Sequence, residues 1–268
     1  MSTPITLTIA GSDSGGGAGI QADIKAISAT GGYACSAITA LTAQNTQGVQ
    51  GILPIDIAFV AQQIDAIFTD LDVKAVKIGM LADSDIIRTV AEKLKQYQPA
   101  HIVLDPVMVA TSGDLLLQQD AIACLKEHLL PLATVITPNL PEAAALTGTT
   151  MPSTPGDMDN LVNALKALDT RAVLLKGGHS HDDQKATDLL IEANNITTFS
   201  VERHPTNNTH GTGCTLSAAI ASYLAQQNAL PQAVKLAKNY ISDAIKHADE
   251  LRIGKGHGPV NHFYMLNR

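Results

Sequence analysis

Short apolar runs rich in β-branched residues alternate with longer amphipathic runs along most of the chain. The short runs have the length of buried strands and lie at residues 5–10, 33–41, 74–79, 101–105, 135–137 and 172–176. Helical patterns follow them, as at 57–71, where apolar residues recur at the three- and four-residue spacing of one helix face. This alternation predicts parallel strands joined by right-handed helical crossovers, with helices on both faces of one sheet.

The last third of the chain departs from this alternation. Residues 187–201 are typical of a hairpin-like pair of strands, and two helices are predicted at about 214–227 and 231–249. An antiparallel pair of this kind fits one edge of a mostly parallel sheet. No Pro- or Ser-rich linker and no repeat divides the 268 residues, so we expect a single domain over 1–268, with 147–157 as a surface loop.

Composition restricts the class of protein. Hydrophobic residues make up 45% of the chain and charged residues 16%, which excludes a disordered polypeptide. The net charge is −7 and no cluster of Lys and Arg interrupts it, so we expect no nucleic-acid partner. Three scattered cysteines indicate a reducing compartment rather than a disulfide framework. Because neither a signal-peptide pattern nor an apolar stretch of roughly 20 residues is present, we expect a cytoplasmic protein with no membrane partner.

Glycine and polar residues cluster where the predicted strands end or a late helix begins. The segments are GSDSGGGAG, TAQN, KIGM, DPVMVATSGD, TPNLPE, KGGH and THGTGC. In an open α/β sheet, ligands bind beyond the carboxyl ends of the strands. We therefore expect these segments to share one ligand-binding rim.

The last of these segments, THGTGC, is predicted to be a loop that enters a helix. Gly211 and Gly213 free the backbone from the restrictions of a Cβ atom. A helix N-terminus presents unpaired N–H groups and a positive dipole end, which suits an anion such as phosphate. A thiol at this place, Cys214, is expected to ionise more easily than a free cysteine. The alternative is a tight turn in which the cysteine is a small apolar filler.

Two common nucleotide-binding motifs do not fit the sequence. Gly17, Gly19 and Ala22 fit the dinucleotide pattern G-x-G-x-x-A, but that pattern also needs an acidic residue about 20 positions further on. There is no Asp or Glu between Lys25 and Ile55, which disfavours an NAD-type oxidoreductase. The P-loop pattern is also absent from the sequence, so phosphate binding here would not use a Walker loop.

The motifs together resemble a known family. GSDSGGGAGIQAD, ALTAQNTQGV, KIGML, LDPVM, ITPNLPEAAAL, LLKGGH, NTHGTGCTLSAAIA and GKGHGPVNHF occur in family order from residue 5 to about 265. They are similar to the hydroxymethylpyrimidine/phosphomethylpyrimidine kinases of thiamine biosynthesis, which belong to the ribokinase-like superfamily. The superfamily usually has Asp where this chain has Cys214, and this branch shares the cysteine.

The resemblance implies a three-layer αβα sandwich with a mostly parallel central sheet, usually assembled as a homodimer. It implies transfer of the γ-phosphoryl group of ATP to the hydroxymethyl oxygen of a small-molecule pyrimidine, and then a second transfer onto the monophosphate. The cofactors implied are ATP and Mg²⁺.

The resemblance also implies the roles of individual residues. Backbone amides would form an anion hole and Cys214 would accept the proton of the substrate hydroxyl; the amides are those of Gly211, Thr212, Gly213 and Cys214. The pyrimidine would be bound by Gln44, Gly11, Asp23, Met80 and Val107. ATP would be bound by Lys176, Asn139 and Glu142. Mg²⁺ would be bound by Asp105 and Glu142.

Several of these positions also have a purely structural interpretation. Gln44 could be a turn residue, Asp23 a first-turn helix carboxylate and Glu142 a helix cap. Lys176 could be a strand-end lysine that reaches solvent. Many relatives carry Lys at the position of Thr111, which puts the efficiency of the second transfer in question. The nearest rival function is pyridoxal or pyridoxine kinase on the same scaffold, and a non-catalytic ligand sensor is the other alternative.

Overall fold

The computed structural model describes residues 3–108, 119–177 and 184–267. Its strands form one nine-stranded sheet in the order β3-β2-β1-β4-β5-β6-β7-β8-β9. The strands are β1 (Ile5–Asp13), β2 (Tyr33–Asn45), β3 (Gly48–Pro54), β4 (Val73–Ile78), β5 (His101–Leu104), β6 (Val135–Ile136), β7 (Ala172–Leu175), β8 (Lys185–Glu192) and β9 (Asn195–Glu202). The six central strands of this order, from β2 through β1 to β7, pair in parallel. The edge strands β3, β8 and β9 pair antiparallel.

Helices cover both faces of the sheet. They are α1 (Gly19–Ala29), α2 (Ile57–Phe68), α3 (Ser84–Tyr97), α4 (Gln119–His128), α5 (Leu140–Thr147), α6 (Pro155–Lys166), α7 (Thr212–Ala225) and α8 (Leu230–Lys246). Side chains alternate across each strand, so β4 sends Val76 and Ile78 into one apolar core and Ala75 into the other. The first core packs against α2 to α6, and the second against α1, α7 and α8. The expected three-layer α/β fold with a mostly parallel sheet is confirmed.

The segment after the second predicted strand differs from the expectation. TAQN does not follow β2 but forms its end, and the chain then turns directly into β3, which pairs antiparallel with β2 at one sheet edge. The sequence GVQGILP gave no strand signal because it contains two glycines and a proline and does not alternate. It lies at an exposed edge, where burial imposes no such pattern.

The opposite edge agrees with the expectation. β8 and β9 form an antiparallel hairpin next to β7, as the pattern at 187–201 predicted. Within the described ranges, none of the helices is both long and apolar enough to cross a membrane.

Candidate active site

The carboxyl ends of the parallel strands and the start of α7 surround a cavity of about 910 Å³. All the site residues predicted from the sequence line it except Asp23; they are Gly11, Gln44, Met80, Asp105, Val107, Asn139, Glu142, Lys176, Gly211, Thr212, Gly213 and Cys214. The segments that were expected to share a rim therefore do so where the structure describes them. Thr111 falls outside the described residues.

The N-terminus of α7 has the geometry that its two glycines predict. Gly211 is the N-cap residue, with a φ of 78°, and a Cβ at this position would overlap the carbonyl group of Gly17. The first backbone bond within the helix is donated by Thr215 to the carbonyl of Gly211, 2.9 Å away, so the amides of Gly213 and Cys214 precede it. The amide of Thr212 donates to the carbonyl of Thr209 over 3.2 Å, and is therefore less free for a ligand than the next two.

The expectation that Cys214 ionises easily is wrong for the unliganded protein. Burial raises the pKa of the Cys214 thiol to about 11. The ammonium of Lys77 lowers this pKa, while the carboxylates of Asp23 and Asp105 raise it further. The helix dipole argument considered only the backbone and left out this desolvation. The thiol is consequently protonated near neutral pH.

A lysine between two carboxylates occupies the side of the cavity beyond β5 and β7. The Nζ atom of Lys176 lies 2.9 Å from Oδ1 of Asp105 and 3.9 Å from Oε2 of Glu142. Asp105 also accepts a hydrogen bond from Oγ1 of Thr137 at 2.9 Å. Burial opposes ionisation of Asp105, yet Lys176 and then Lys77 keep its pKa below the ordinary value. Burial raises the pKa of Glu142 to about 7.

Glu142 caps a helix, as one of its two interpretations predicted, and it also lines the cavity. Asn139 and Glu142 form a capping box at the start of α5, in which each side chain accepts a hydrogen bond from the other residue's backbone N–H. The same carboxylate faces Lys176 across the cavity. The capping bonds therefore fix the carboxylate that the cavity presents.

The donor set is sparse for a metal ion. Among the described residues there is no group of three or more His, Cys, Asp or Glu side chains placed to hold one. Asp105 and Glu142 are two carboxylates on one cavity wall. Magnesium binds through one or two carboxylates, several waters and substrate phosphates, so these two residues fit that ion and would not form a closed protein cage.

The other end of the cavity has apolar walls and a polar rim. A Cβ on Gly11 would lie 2.5 Å from Cε of Met80, so the glycine leaves the space that the methionine fills. Val107 lines the same cavity. Gln44 is half-buried near the end of β2, and its Oε1 accepts a hydrogen bond from Oγ1 of Thr42 at 3.0 Å. This bond orients the Gln44 amide at the cavity wall.

Asp23 does not line the cavity, in contrast to the expectation. Its side chain is fully buried and is bound by both carboxylate oxygens to Nζ of Lys77, at 2.9 and 2.8 Å. Lys77 itself borders the cavity and was missed by sequence reasoning. The signal was present: Lys77 shares a strand face with buried Ala75, where a parallel sheet ordinarily has an apolar residue.

The glycine-rich loop after β1 is held from within. The Asp13 carboxylate accepts hydrogen bonds from the amides of Gly15, Gly17 and Ala18, and Nε2 of His210 lies 2.8 Å away. Amides that would bind a pyrophosphate in a dinucleotide fold are therefore occupied by a carboxylate. This loop geometry gives no support to the NAD-type alternative.

A second buried ion pair, also missed, lies beside the loop after β7. Asp188 accepts the amide proton of Gly177 at 2.9 Å and binds Nζ of Lys238 at 2.6 Å. A Cβ on Gly177 would overlap the carbonyl of Thr187, so the strands approach closely here. Asp188 and Lys238 line the cavity on the side of α8.

Comparison with known proteins identifies the family of this chain. The sequence model of the family described as phosphomethylpyrimidine kinase matches residues 13–261. A hydroxymethylpyrimidine/phosphomethylpyrimidine kinase of Rhizobium meliloti is 52% identical over 262 residues, which are 98% of each chain. The crystal structure of a phosphomethylpyrimidine kinase from Clostridium difficile covers 90% of this chain and 99% of its own, with 45% identity and a TM-score of 0.78. An ADP complex of Bacillus subtilis pyridoxal kinase covers 100% of both chains with 37% identity and a TM-score of 0.90. The chain belongs to the phosphomethylpyrimidine kinase family.

Proposed function

We propose that this protein transfers the γ-phosphoryl group of ATP to the hydroxymethyl oxygen of 4-amino-5-hydroxymethyl-2-methylpyrimidine, and then to the resulting monophosphate. The observation that carries the proposal is a cavity lined by the N-terminus of α7, by Lys176, by the Cys214 thiol and by the Gln44 amide. Relatives that are 52% and 50% identical over nearly the whole chain are named for these two reactions.

Charge neutralisation is the main task of such a site, because phosphoryl transfer requires positioning more than covalent chemistry. The amides of Gly213 and Cys214 point out of the α7 N-terminus, where charge develops on the moving phosphoryl group. Lys176 supplies a partly buried ammonium group beside them: a Cβ on Gly213 would lie 3.3 Å from its Nζ. Mg²⁺, bound through Asp105 and Glu142, would neutralise further phosphate charge when present.

Cys214 has the role of proton acceptor in this proposal. The bond from the acceptor oxygen to the γ-phosphorus forms while the bond to the β-phosphate oxygen breaks, and the electron pair of that bond leaves with ADP. The acceptor proton passes to Sγ of Cys214; because burial raises the pKa of this thiol to about 11, only its minor thiolate form accepts the proton, and kcat should rise with pH. Because a loose transition state releases this proton late, we expect the lower part of the usual range for base catalysis, about a hundredfold.

The test is ADP release by the purified protein with Mg-ATP and each of three acceptors: the pyrimidine, its monophosphate and pyridoxal. We expect turnover with both pyrimidines and kcat lowered about a hundredfold in Cys214→Ala, with the KM for ATP nearly unchanged. Full kcat in that variant would show that the cysteine only packs. Silence with all three acceptors would refute the kinase assignment.

Pyridoxal is the alternative acceptor because the B. subtilis pyridoxal kinase superposes with a TM-score of 0.90. Against it stands the higher identity, 45%, to a solved phosphomethylpyrimidine kinase. Dominant turnover of pyridoxal in the same assay would favour this alternative over the pyrimidine.

We also propose a homodimer of single-domain subunits that acts in the cytoplasm. The nine-stranded sheet is continuous, which supports one domain, and the three cysteines are free thiols, which fits a reducing compartment. Large apolar side chains are exposed around the β3 edge: Leu41, Ile52, Leu53, Ile57 and Phe59. Sedimentation equilibrium should give a dimer, and Leu53→Lys should weaken it. A monomer at all concentrations would contradict this assembly.

A further inference from the structure

The backbone of Gln44 is held by the glycine-rich loop. Oγ of Ser14 donates to the carbonyl of Gln44 at 2.8 Å and accepts from its backbone amide at 2.9 Å. The β2–β3 pairing shifts register between Ala43 and Gln44, and such bulges redirect side chains beside active sites. The backbone therefore sets where Gln44 reaches the cavity, but not which end of its side-chain amide faces a ligand.

Thr42 is the neighbour that acts on this side-chain amide. Residues two apart on a strand share a face, and Oγ1 of Thr42 lies 3.0 Å from Oε1 of Gln44. The same hydroxyl lies 2.8 Å from the carbonyl oxygen of Ser12 on β1. All three residues line the cavity. The Thr42 hydroxyl thus has two oxygen atoms within hydrogen-bonding distance.

A count of protons decides how this cluster is satisfied. A hydroxyl has one proton to donate and two lone pairs, whereas a carbonyl oxygen can only accept. With Oε1 of Gln44 towards Thr42, the one proton serves either Ser12 or Gln44 and leaves the other oxygen without this bond. With the amide turned over, the proton goes to Ser12 and Nε2 of Gln44 donates to Oγ1 of Thr42. Both bonds then form, so the turned-over amide is favoured by one hydrogen bond.

The orientation of the amide decides which ring edge Gln44 recognises. In the turned-over form Nε2 keeps a second N–H for a ligand, and Oε1 beside it accepts. This order fits an aminopyrimidine, in which a ring nitrogen accepts and the neighbouring amino group donates. Pyridoxal presents the opposite order at the equivalent ring positions, since its hydroxyl donates and its aldehyde oxygen accepts. The same glutamine would match pyridoxal only by turning back.

We propose that Thr42, together with the carbonyl of Ser12, is the positioning residue that selects an aminopyrimidine over a pyridoxal-like ring. It holds the Gln44 amide with Nε2 towards its own hydroxyl and Oε1 towards the amino group of the acceptor. This inference rests on the proposed function and names the residue that sets its substrate preference. The preference that Thr42 contributes corresponds to one hydrogen bond, which is about two- to tenfold in affinity.

The test compares two acceptors that differ at this edge. One is 4-amino-5-hydroxymethyl-2-methylpyrimidine, and the other is its 4-oxo analogue, in which the ring N–H donates and the neighbouring oxygen accepts. Their dissociation constants are measured by calorimetry without ATP, and kcat/KM is measured for each with Mg-ATP. Thr42→Val removes the hydroxyl and Thr42→Ser keeps it. The matched control is Thr69→Val, which removes a hydroxyl that donates to the carbonyl of Asp65 at the end of α2.

We expect the wild-type protein to bind the amino compound more tightly than the oxo analogue. In Thr42→Val the ratio of the two dissociation constants should fall about two- to tenfold, because the Gln44 amide then turns without losing a bond. Thr42→Ser and Thr69→Val should keep the wild-type ratio, and the KM for ATP should be unchanged in all three variants. If Thr42→Val does not fold, Thr42→Ala removes the same hydroxyl for the same measurement.

An unchanged ratio in a folded Thr42→Val, or a wild-type preference for the oxo analogue, would overturn the inference. Equal weakening of both acceptors would do the same, because it would show that Thr42 only supports the strand. The binding measurement needs no turnover. The expected ratios without phosphoryl transfer would therefore refute the proposed function alone, and turnover with an unchanged ratio would refute the role of Thr42 alone.

Discussion

Replacing Gly211 with alanine should separate α7 from the glycine-rich loop. The residue has a φ of 78°, which costs a non-glycine residue about 1 kcal/mol or somewhat more. In addition, its Cβ would overlap the carbonyl of Gly17 and lie 3.2 Å from Cα of Ala18. Both neighbours are backbone atoms, so the loop itself has to move, at a further cost of about 1–3 kcal/mol.

Gly148 provides a matched control for the cost of placing alanine at a positive φ. It ends α5 with a φ of 68°, and a Cβ there would have nothing within 4 Å. Gly148→Ala should therefore lose only about 1 kcal/mol and retain activity. Gly211→Ala should lose about 3 kcal/mol in total and most of its kcat, because the amides of α7 no longer lie at the transferring phosphoryl group.

The assay is urea denaturation followed by circular dichroism, combined with ADP release on each variant. The difference between the two free energies of unfolding isolates the overlap with Gly17. Equal destabilisation of Gly211→Ala and Gly148→Ala, with activity retained in both, would refute the reasoning that the loop and the helix start are packed backbone against backbone.

Four further predictions concern single features of the site. Gln44→Leu should raise the KM for the pyrimidine severalfold and leave the KM for ATP unchanged, since it removes the edge contacts of the ring; an unchanged acceptor KM would show that another group recognises the ring. Asp105→Asn with Glu142→Gln should abolish Mg-dependent turnover in a folded protein, and wild-type activity would contradict the assignment of the metal. Lys238→Met, measured by steady-state kinetics, should raise the KM for ATP more than that for the acceptor because Asp188 loses its partner at the Gly177 loop; the opposite order would place that pair outside the nucleotide site. Burial raises the pKa of Asp13, but His210 and the loop amides lower it further, to below its ordinary value of 3.8. The ionised carboxylate therefore stabilises the protein at neutral pH, and this contribution is lost as the pH falls below about 3.8. Asp13→Asn should be less stable at neutral pH and its unfolding less sensitive to acid, and an unchanged acid transition would contradict this.

The fold was predictable from the sequence where burial imposes a pattern. Parallel strands such as β5 and β7 are almost entirely buried and gave clear apolar runs, and the ends of the parallel strands located the cavity. β3 was missed because an exposed edge strand needs no apolar alternation.

The site was predictable where a motif presents residues to the cavity, and not where a partner is distant in sequence. The pairing of Lys77 with Asp23 joins residues 54 positions apart, and that of Asp188 with Lys238 joins residues 50 apart. Periodicity marks such charges as unusual but cannot say which partner they meet. The prediction that the Cys214 thiol ionises easily failed for the same reason, because its pKa depends on burial and on three side chains that only the fold brings together.

The most direct test of the account is the product sequence made by the purified protein. With excess Mg-ATP and the hydroxymethylpyrimidine, phosphorus NMR should show the monophosphate rising first and the diphosphate following at its expense, with two ADP released for each pyrimidine consumed. Cys214→Ala should slow both steps. Accumulation of pyridoxal phosphate at a far higher rate in a parallel reaction, or a product that remains the monophosphate, would contradict the proposed two-step transfer.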